Sequence, residues 1–485
     1  SSKMARRYLF TLALFLAGSS LLWGQPLDSA KVLTPEAYLS WVADYHPVAR
    51  QGRLLEVQAE ALERLARGGF DPKLYGDWDQ KNFKEKEYFA FGEAGVKVPT
   101  WFGIELKGAY AVADVDALYQ NAERTLPDVG QAVLGFTVPI GRGLVIDQRR
   151  AALEQAKIMA SANEAKQRGM VNDLLVEAAT AYWDWSVAFN QLLVFERALV
   201  ITRERFEGIR ESFFAGDLPA IDTLETMIQI QNRQFDYNNA SIAYRNATLA
   251  LSNYLWTEAG EPLEVTEALR PLVLEDQVPE PLPNTRQQLW QEARQIHPDL
   301  LQYRFKLEQY DVDRRLALEQ FKPRLDVEYN FLGEGTNLLP GSSADNGITQ
   351  LVGQNYKWGV RFDFPLFLRK ERGKLQLTRI KIQDAEYTLQ RKQLEIENKI
   401  NNYFNEQNNF LEQIQLYEGA VQNYQTLLEA EYIKFDLGES SIFLVNSREQ
   451  KLIDAQLKLT ELRGKFFKTR QKLEWAAGLL GLMAN

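Results

Sequence analysis

The chain has 485 residues, a net charge of −9 and no cysteine. The negative charge argues against nucleic acid as a partner, because phosphate binding needs a basic face. The lack of cysteine excludes disulfide bonds, thiolate metal sites and a lipid attached through an N-terminal cysteine, so we do not expect a lipoprotein.

The first residues are typical of a cleavable secretory signal peptide. A basic start is followed by a short apolar run that ends at Leu16, and a small residue, Gly24, precedes the expected cleavage site, which is the order expected of such a peptide. We therefore expect residues 1–24 to be removed on export. A membrane anchor is the alternative, although the apolar run is short for a spanning helix.

The rest of the chain is an internal duplication. His46-Pro47 and His297-Pro298 open similar stretches, and each stretch reaches a further proline at the same spacing. A duplicated chain builds one architecture twice, so the repeat decides the fold before any local motif does. The expected parts are a first repeat at 25–256, a proline-rich linker at 257–284 and a second repeat at 285–485.

Each repeat has the same predicted order of elements: a short helix, strands, a long helix, a glycine turn and a returning helix. The long helices are proline-free with apolar residues at helical spacing, and each would be on the order of 100 Å long. Helices of that length must pack lengthwise on others. The expected bounds are strands within about 73–138 and 324–364, long helices at about 143–214 and 368–435, and returning helices at about 219–256 and 440–480.

The strands alternate large apolar and polar residues, which suits a transmembrane β-barrel. A soluble sheet with an aromatic core is the alternative. We favour the barrel because a few strands from one chain would leave exposed edges, whereas three copies could close. In the first repeat an additional hairpin, Glu87–Val98 and Trp101–Ala113, either joins the membrane strands or extends as an extracellular or rim feature. We favour four membrane strands per chain, hence twelve in a trimer, over six and eighteen.

In this order of elements the chain resembles the TolC family of outer-membrane efflux ducts. The resemblance implies a mainly α fold with β structure, in which duplicated long helical hairpins form a periplasmic α-barrel and a homotrimer shares a transmembrane β-barrel. It implies as partners a periplasmic adaptor protein, an inner-membrane pump of the RND or ABC type and outer-membrane lipid, with no cofactor. It places the barrel–helix junctions at Pro72, Pro139, Pro323 and Pro365.

The resemblance also places the periplasmic tips at the glycine turns, where an adaptor would bind. Relatives often narrow the tip with acidic residues six and nine positions after each turn glycine. Here only the first repeat keeps them, as Asp222 and Glu225, so a gate role competes with simple stabilisation of a helix N-terminus. An arginine that helps lock the tip in relatives is replaced by a serine. The adaptor-contacting residues implied are Gly216, Asp217, Leu218, Leu437, Gly438, Glu439 and Ser440.

The function expected is therefore a passive outer-membrane channel for tripartite efflux or type I secretion. The alternative is a secreted or periplasmic coiled-coil scaffold or adhesin without a pore. No catalytic, cofactor or metal motif is present in the sequence, so we do not expect an enzyme. The two histidines, which precede proline at duplicated positions, are interpreted as helix-start residues rather than ligands or general bases.

Overall fold

The computed structural model describes residues 31–115, 126–266, 269–335 and 355–484. The signal peptide expected at 1–24 lies outside these residues. The chain divides into two compact units. The helical unit comprises the residues up to 50, 171–289 and those from 399 onward, and the sheet unit comprises 51–170 and 290–398.

Eight α-helices and two β-sheets make up the described elements, apart from short 3₁₀ segments. The helices are α1 Pro35–Tyr45, α2 Pro47–Arg67, α3 Gln148–Ala215, α4 Ala220–Ser252, α5 Arg286–Ile296, α6 Pro298–Glu319, α7 Arg369–Asp436 and α8 Ile442–Ala477. The strands are β1 Lys31–Val32, β2 Lys73–Phe83, β3 Lys86–Pro99, β4 Glu105–Val115, β5 Gln131–Pro139, β6 Leu269–Arg270, β7 Arg324–Glu334 and β8 Tyr356–Asp363.

The sheet unit contains one six-stranded sheet in the order β2-β3-β4-β5-β7-β8, with every neighbouring pair antiparallel. The additional hairpin of the first repeat, β3–β4, lies inside this sheet. The position of this hairpin between β2 and β5 was not predicted from the sequence, which led us only to favour four membrane strands per chain over six. The alternation of apolar and polar residues predicted the strands, but it did not predict their order in the sheet, because strand order depends on partners distant in sequence.

The two long helices, α3 and α7, each have 68 residues. The first begins at Gln148, five residues after the start expected near 143. Gly143 has φ +94°, and the Asp147 carboxylate accepts a hydrogen bond from the backbone N–H of Arg150 at 2.9 Å. That contact caps the helix where it begins. No helix within the described residues is both long enough and apolar enough to cross a membrane.

The helical unit has its core where α3 and α8 pack with α1. Tyr182 of α3 is fully buried and donates its hydroxyl to the Leu33 carbonyl at 2.6 Å, while Trp183 stacks on Phe467 with ring centroids 4.4 Å apart. This core joins residues of both repeats. The duplicated halves therefore share one hydrophobic core rather than forming two.

The segment expected as a plain linker packs on this core in its described part. Leu274 is buried, its N–H donates to the Asn190 side chain at 3.0 Å, and its carbonyl accepts from Arg463 at 3.1 Å. The segment also adds β6, which pairs in parallel with β1. Prolines gave the segment the composition of a linker, whereas a single buried leucine has no periodicity that a sequence pattern could detect.

Both histidines are confirmed as helix-start residues. The Nδ1 atom of His46 accepts the N–H of Val48, and that of His297 accepts the N–H of Asp299, each at 3.2 Å. The duplicated His-Pro step is thus a duplicated cap, since an acceptor at this position satisfies an otherwise unpaired helix donor. Burial lowers the pKa of His46, and its hydrogen bond to the Asn253 backbone offsets this only in part.

This cap predicts a pH-dependent stability. Because the pKa of His46 is lower in the folded state than the ~6.5 of an unfolded chain, its contribution is complete above that value and is lost as the pH falls below it. His46→Asn should keep the cap, since its amide oxygen accepts equally well, and should flatten the decline between pH 7.5 and 5.5. Thermal unfolding followed by tryptophan fluorescence measures this. An identical decline in both proteins would contradict the prediction. His46→Ala should cost about 1 kcal/mol at pH 7.5, where the imidazole is neutral, and less at pH 5.5.

Candidate gate at the glycine turns

The two glycine turns have the same geometry. At the end of α3, Gly216 has φ +88° and donates to the Phe213 carbonyl, while the N–H of Asp217 reaches back to the Ser212 carbonyl at 2.9 Å. At the end of α7, Gly438 has φ +75° and repeats both bonds. This is the Schellman arrangement, which requires a left-handed residue and so favours glycine. Within each repeat a helical hairpin results.

Apolar side chains are exposed around both turns. Phe214 and Leu437 are 78% and 69% exposed, and nothing lies within 4 Å of a Cβ added to Gly216 or Gly438. Exposed large apolar groups beside open backbone are typical of a surface that another protein covers.

The predicted gate acids lie at the start of α4. Asp222 is in its first turn, where a carboxylate interacts favourably with the helix dipole. Glu225 accepts a hydrogen bond from the Asn446 side chain of α8 at 3.3 Å. It lines a polar cavity of about 480 Å³ between α4 and α8, together with Ser447. Ser447 is the second-repeat counterpart of Glu225, so the two equivalent positions lie in the same cavity.

Next to this cavity lies a buried arginine cluster, formed by Arg205 of α3, Arg233 of α4 and Glu449 of α8. Arg205 binds both oxygens of the Glu449 carboxylate, and Arg233 is 3.7 Å from one of them. Arg205 also donates to the Tyr432 hydroxyl of α7 at 2.6 Å. The cluster therefore connects all four helices of the two hairpins.

The cluster is not balanced in charge. Arg233 is 1% exposed and Glu449 5%, and one carboxylate faces two guanidinium groups. Asp236, which is 3.8 Å from Arg233, compensates in part. The Nε atoms of Arg205 and Arg233 have no hydrogen-bond acceptor among the described residues. Buried charges with incomplete partners are costly, so the cluster stabilises this arrangement of helices only while Glu449 stays in place.

The serine that replaces the tip arginine of relatives has a different partner. Ser440 donates to the Glu431 carboxylate within its own hairpin, and Arg448 is 3.5 Å from the same group. These hydrogen bonds, that from Ser440 foremost, lower the pKa of Glu431. The contact joins the two helices of one repeat, whereas the arginine cluster joins both repeats.

The junction prolines lie where strands and helices meet. Pro139 ends β5, Pro323 precedes β7, and the Pro323 carbonyl accepts the N–H of Arg142 at 2.8 Å. Pro72 precedes β2 and Pro365 follows β8 at the same end of the sheet. All four junctions therefore lie at the same end of the strands, and the long helices α3 and α7 begin at that end.

Comparison with known proteins identifies the family. Residues 127–255 and 289–479 match the outer membrane efflux protein family. The chain belongs to that family. The expected fold class, mainly α with β structure and with duplicated long helical hairpins, is confirmed by solved structures. The CmeC outer membrane channel of Campylobacter jejuni has a TM-score of 0.60 at 13% identity, over 95% of this chain and 90% of CmeC. The open-state MtrE channel of Neisseria gonorrhoeae has 0.63 at 13%, over 92% and 88%.

A relative by sequence is the alkaline protease secretion protein AprF of Pseudomonas aeruginosa. It is 26% identical over 325 residues, which cover 66% of this chain and 64% of AprF. The chain thus matches slightly less than two thirds of the length of that relative.

The arginine cluster of this efflux-family protein could not be predicted from its sequence. Each member looks like an ordinary charge on a long polar helix, and such charges are usually solvated. Arg205 and Glu449 differ from other charged residues only in their contact with each other, which joins positions 244 residues apart in the sequence. The only local signal is that Arg233 shares a face of α4 with the buried residues Thr226 and Ala240, where an arginine is unexpected.

Glu449→Gln should therefore loosen the hairpins. Removing the charge leaves the Arg205 guanidinium without its carboxylate partner and leaves Arg233 with only the partly exposed Asp236, and breaking such a buried pair typically costs about 3–5 kcal/mol. We expect a lower thermal unfolding midpoint of the purified protein and a higher conductance in planar bilayers. Glu207→Gln is the matched control, because Glu207 pairs with Arg210 on the exposed surface, where such pairs contribute about 0–1 kcal/mol. Equal behaviour of the two variants would contradict a role for the cluster.

Proposed function

We propose that this protein is the outer-membrane channel of a tripartite efflux or type I secretion system. Three copies would form a shared β-barrel in the outer membrane and a helical tunnel in the periplasm. The channel would conduct passively, from a periplasmic adaptor and an inner-membrane pump of the RND or ABC type to the outside. Export by the signal peptide expected at 1–24 supplies the route to that membrane.

One observation carries this proposal. The six-stranded sheet has one face of exposed large apolar side chains, and its edge strands β2 and β8 are exposed along their length. In water such a surface would aggregate, whereas in lipid it is the expected outer wall of a barrel. The same sheet leads directly into two long helical hairpins with glycine turns, which a pore-free scaffold does not require.

The trimer is supported by an apolar stripe on α4. Ile221, Ile228, Phe235, Ile242 and Leu249 recur every seven residues and are all exposed. The opposite face of α4, with Arg233 and Ala240, is buried against its own chain. A heptad stripe that the described residues leave exposed is typical of the seam of a coiled coil with another helix, and in a symmetric oligomer that helix would belong to the next copy.

The gate would be at the glycine turns. Docking of an adaptor on Gly216, Asp217, Leu218 and the second turn would shift one hairpin against the other, and the buried arginine cluster would have to open for this to happen. Because Asp222 and Glu225 have Leu444 and Ser447 as their second-repeat counterparts, we infer a weaker cation preference than a doubly acidic tip would give. The adaptor surface of the second turn comprises Leu437, Gly438, Glu439 and Ser440.

The names of the similar proteins do not settle on one class of cargo. AprF carries protease secretion in its name, and CmeC and MtrE are described as outer membrane channels. We therefore propose the channel and leave the cargo to the pump that accompanies it. A stepwise conductance by purified protein in a planar bilayer would support the channel, and a soluble monomer recovered from periplasmic extract would exclude it.

Gly438→Val should impair export without affecting trimers. A β-branched residue at φ +75° is strained by about 1–2 kcal/mol or more, so the turn that an adaptor would bind changes shape. Export by cells that carry the complete system measures the effect, alongside trimer yield. Gly438→Asn tolerates the left-handed conformation and should retain export. Gly419→Val, on an exposed helical site of α7, should also retain it. Full export by Gly438→Val would contradict the tip assignment.

Phe235→Asp should weaken the trimer. A carboxylate in the centre of the apolar stripe would be buried without a partner in the interface, a change that typically costs several kcal/mol. Phe235→Leu keeps the seam apolar and should assemble normally. Native mass spectrometry of protein in detergent gives the fraction of trimer. If Phe235→Asp assembles as fully as Phe235→Leu, the stripe is not the contact between copies.

A further inference from the structure

The additional hairpin of the first repeat is an integral part of the sheet. Strand β3 is paired with β2 on one side and with β4 on the other, and the β3–β4 register runs without a break from Phe89 opposite Val115 to Pro99 opposite Glu105. Strand β4 pairs in turn with β5. The hairpin therefore separates β2 from β5, and every strand between the sheet edges has two neighbours.

The pairing register sorts the side chains of all six strands onto two faces. One face carries large apolar residues that are exposed, and this apolar face continues across the hairpin. Its exposed members are Leu74 and Trp78 of β2, Val96 of β3, Leu106, Tyr110 and Val112 of β4, Leu134 of β5, and Tyr356, Trp358, Val360 and Phe362 of β8.

The opposite face is polar and is hydrogen-bonded across the same strands. Glu93 of β3 accepts from the Tyr75 hydroxyl of β2 at 2.6 Å and pairs with Lys107 of β4 at 2.7 Å. A cavity of about 740 Å³ lies on this face. The hairpin and the other strands line it together, through Lys97, Glu105, Lys107, Thr137, Asp326, Glu328 and Arg361.

Length and end groups also fit a membrane hairpin. Strands β3 and β4 have 14 and 11 residues, and about 9–11 residues cross a bilayer as a tilted strand. Their turn exposes Trp101 and Phe102, of which Trp101 is 76% exposed. It lies at the junction end of the sheet, where Glu105 is 3.9 Å from Arg149 beside the start of α3. Aromatic residues at this level are typical of a membrane–water interface.

We propose that all six strands of each chain cross the outer membrane, so that three copies close an eighteen-stranded barrel. Because β2 and β8 run in opposite directions, β8 of one copy can pair antiparallel with β2 of the next copy without a gap. Barrel diameter grows roughly in proportion to strand number, so the lumen would be about 1.5 times as wide as that of a twelve-stranded barrel. The inference rests on the proposed function, since it needs the trimer in a membrane.

Spin labels test this directly, because the chain has no cysteine and single cysteines can be placed at will. Val96→Cys and Val112→Cys lie on the apolar face of the hairpin, and Lys97→Cys lies on its polar face. Leu134→Cys on β5 is the control, because both the twelve-stranded and the eighteen-stranded barrel place that strand in the membrane. Trimers in lipid nanodiscs are exposed to oxygen, which concentrates in lipid, and to a water-soluble nickel chelate.

The expected result is that labels at positions 96 and 112 collide with oxygen several-fold more than with nickel, as the label at 134 does, while the label at 97 shows the reverse. Nickel access at 96 and 112 with oxygen access at 134 would overturn the eighteen-stranded barrel and leave the channel intact. Nickel access at 134 as well would remove the sheet from the membrane and reject both. A lipid-facing hairpin in a trimer without conductance would reject the channel alone. Counting strands in an electron-microscopy map of the same nanodiscs gives eighteen or twelve independently.

Discussion

The structure depends on backbone hydrogen bonds that a single chain leaves unmade. Among the described residues, strands β2 and β8 each pair with one strand only, and six strands are fewer than the smallest bacterial barrels contain. In lipid each unpaired N–H or C=O costs several kcal/mol, so an open edge is not tolerated there. A sheet with a lipid-compatible face must therefore close with copies of itself. In the proposed outer-membrane channel the sheet therefore requires oligomerisation, and the exposed heptad stripe of α4 would supply the matching contact in the helices.

Much of the fold could be predicted because its signals are local. Gly216 and Gly438 end helices for a reason that concerns one residue and its φ angle. The two histidines cap helices through bonds that span two positions. Alternation along each strand follows from the geometry of one strand alone. Signals of this kind survive in a single sequence, so the order of elements was predictable even where the bounds differed by a few residues.

The features that could not be predicted depend on partners far along the chain. The hairpin β3–β4 was recognised as strands, yet its place between β2 and β5 is decided by pairing, and both placements fit the same alternation. The burial of Leu274 could not be predicted, because this residue lies in a proline-rich segment with the composition of a linker. Arg205 and Glu449 are ordinary surface residue types until folding brings them together. Their burial with Arg233 is costly unless each charge keeps its partner, so the cluster stabilises the helices only through the contacts that Glu449 makes.

The duplication explains how the two repeats can differ in their number of strands. Every junction between the sheet and the helices lies at the same end of the strands. The number of strands between two junctions must therefore be even, because an odd number would bring the chain out at the opposite end. The first repeat has four strands and the second has two, and both satisfy this condition. A hairpin is therefore the smallest unit by which such a barrel can grow. It widens the sheet, keeps the two outer strands antiparallel to each other and leaves all four junctions at the same end of the sheet.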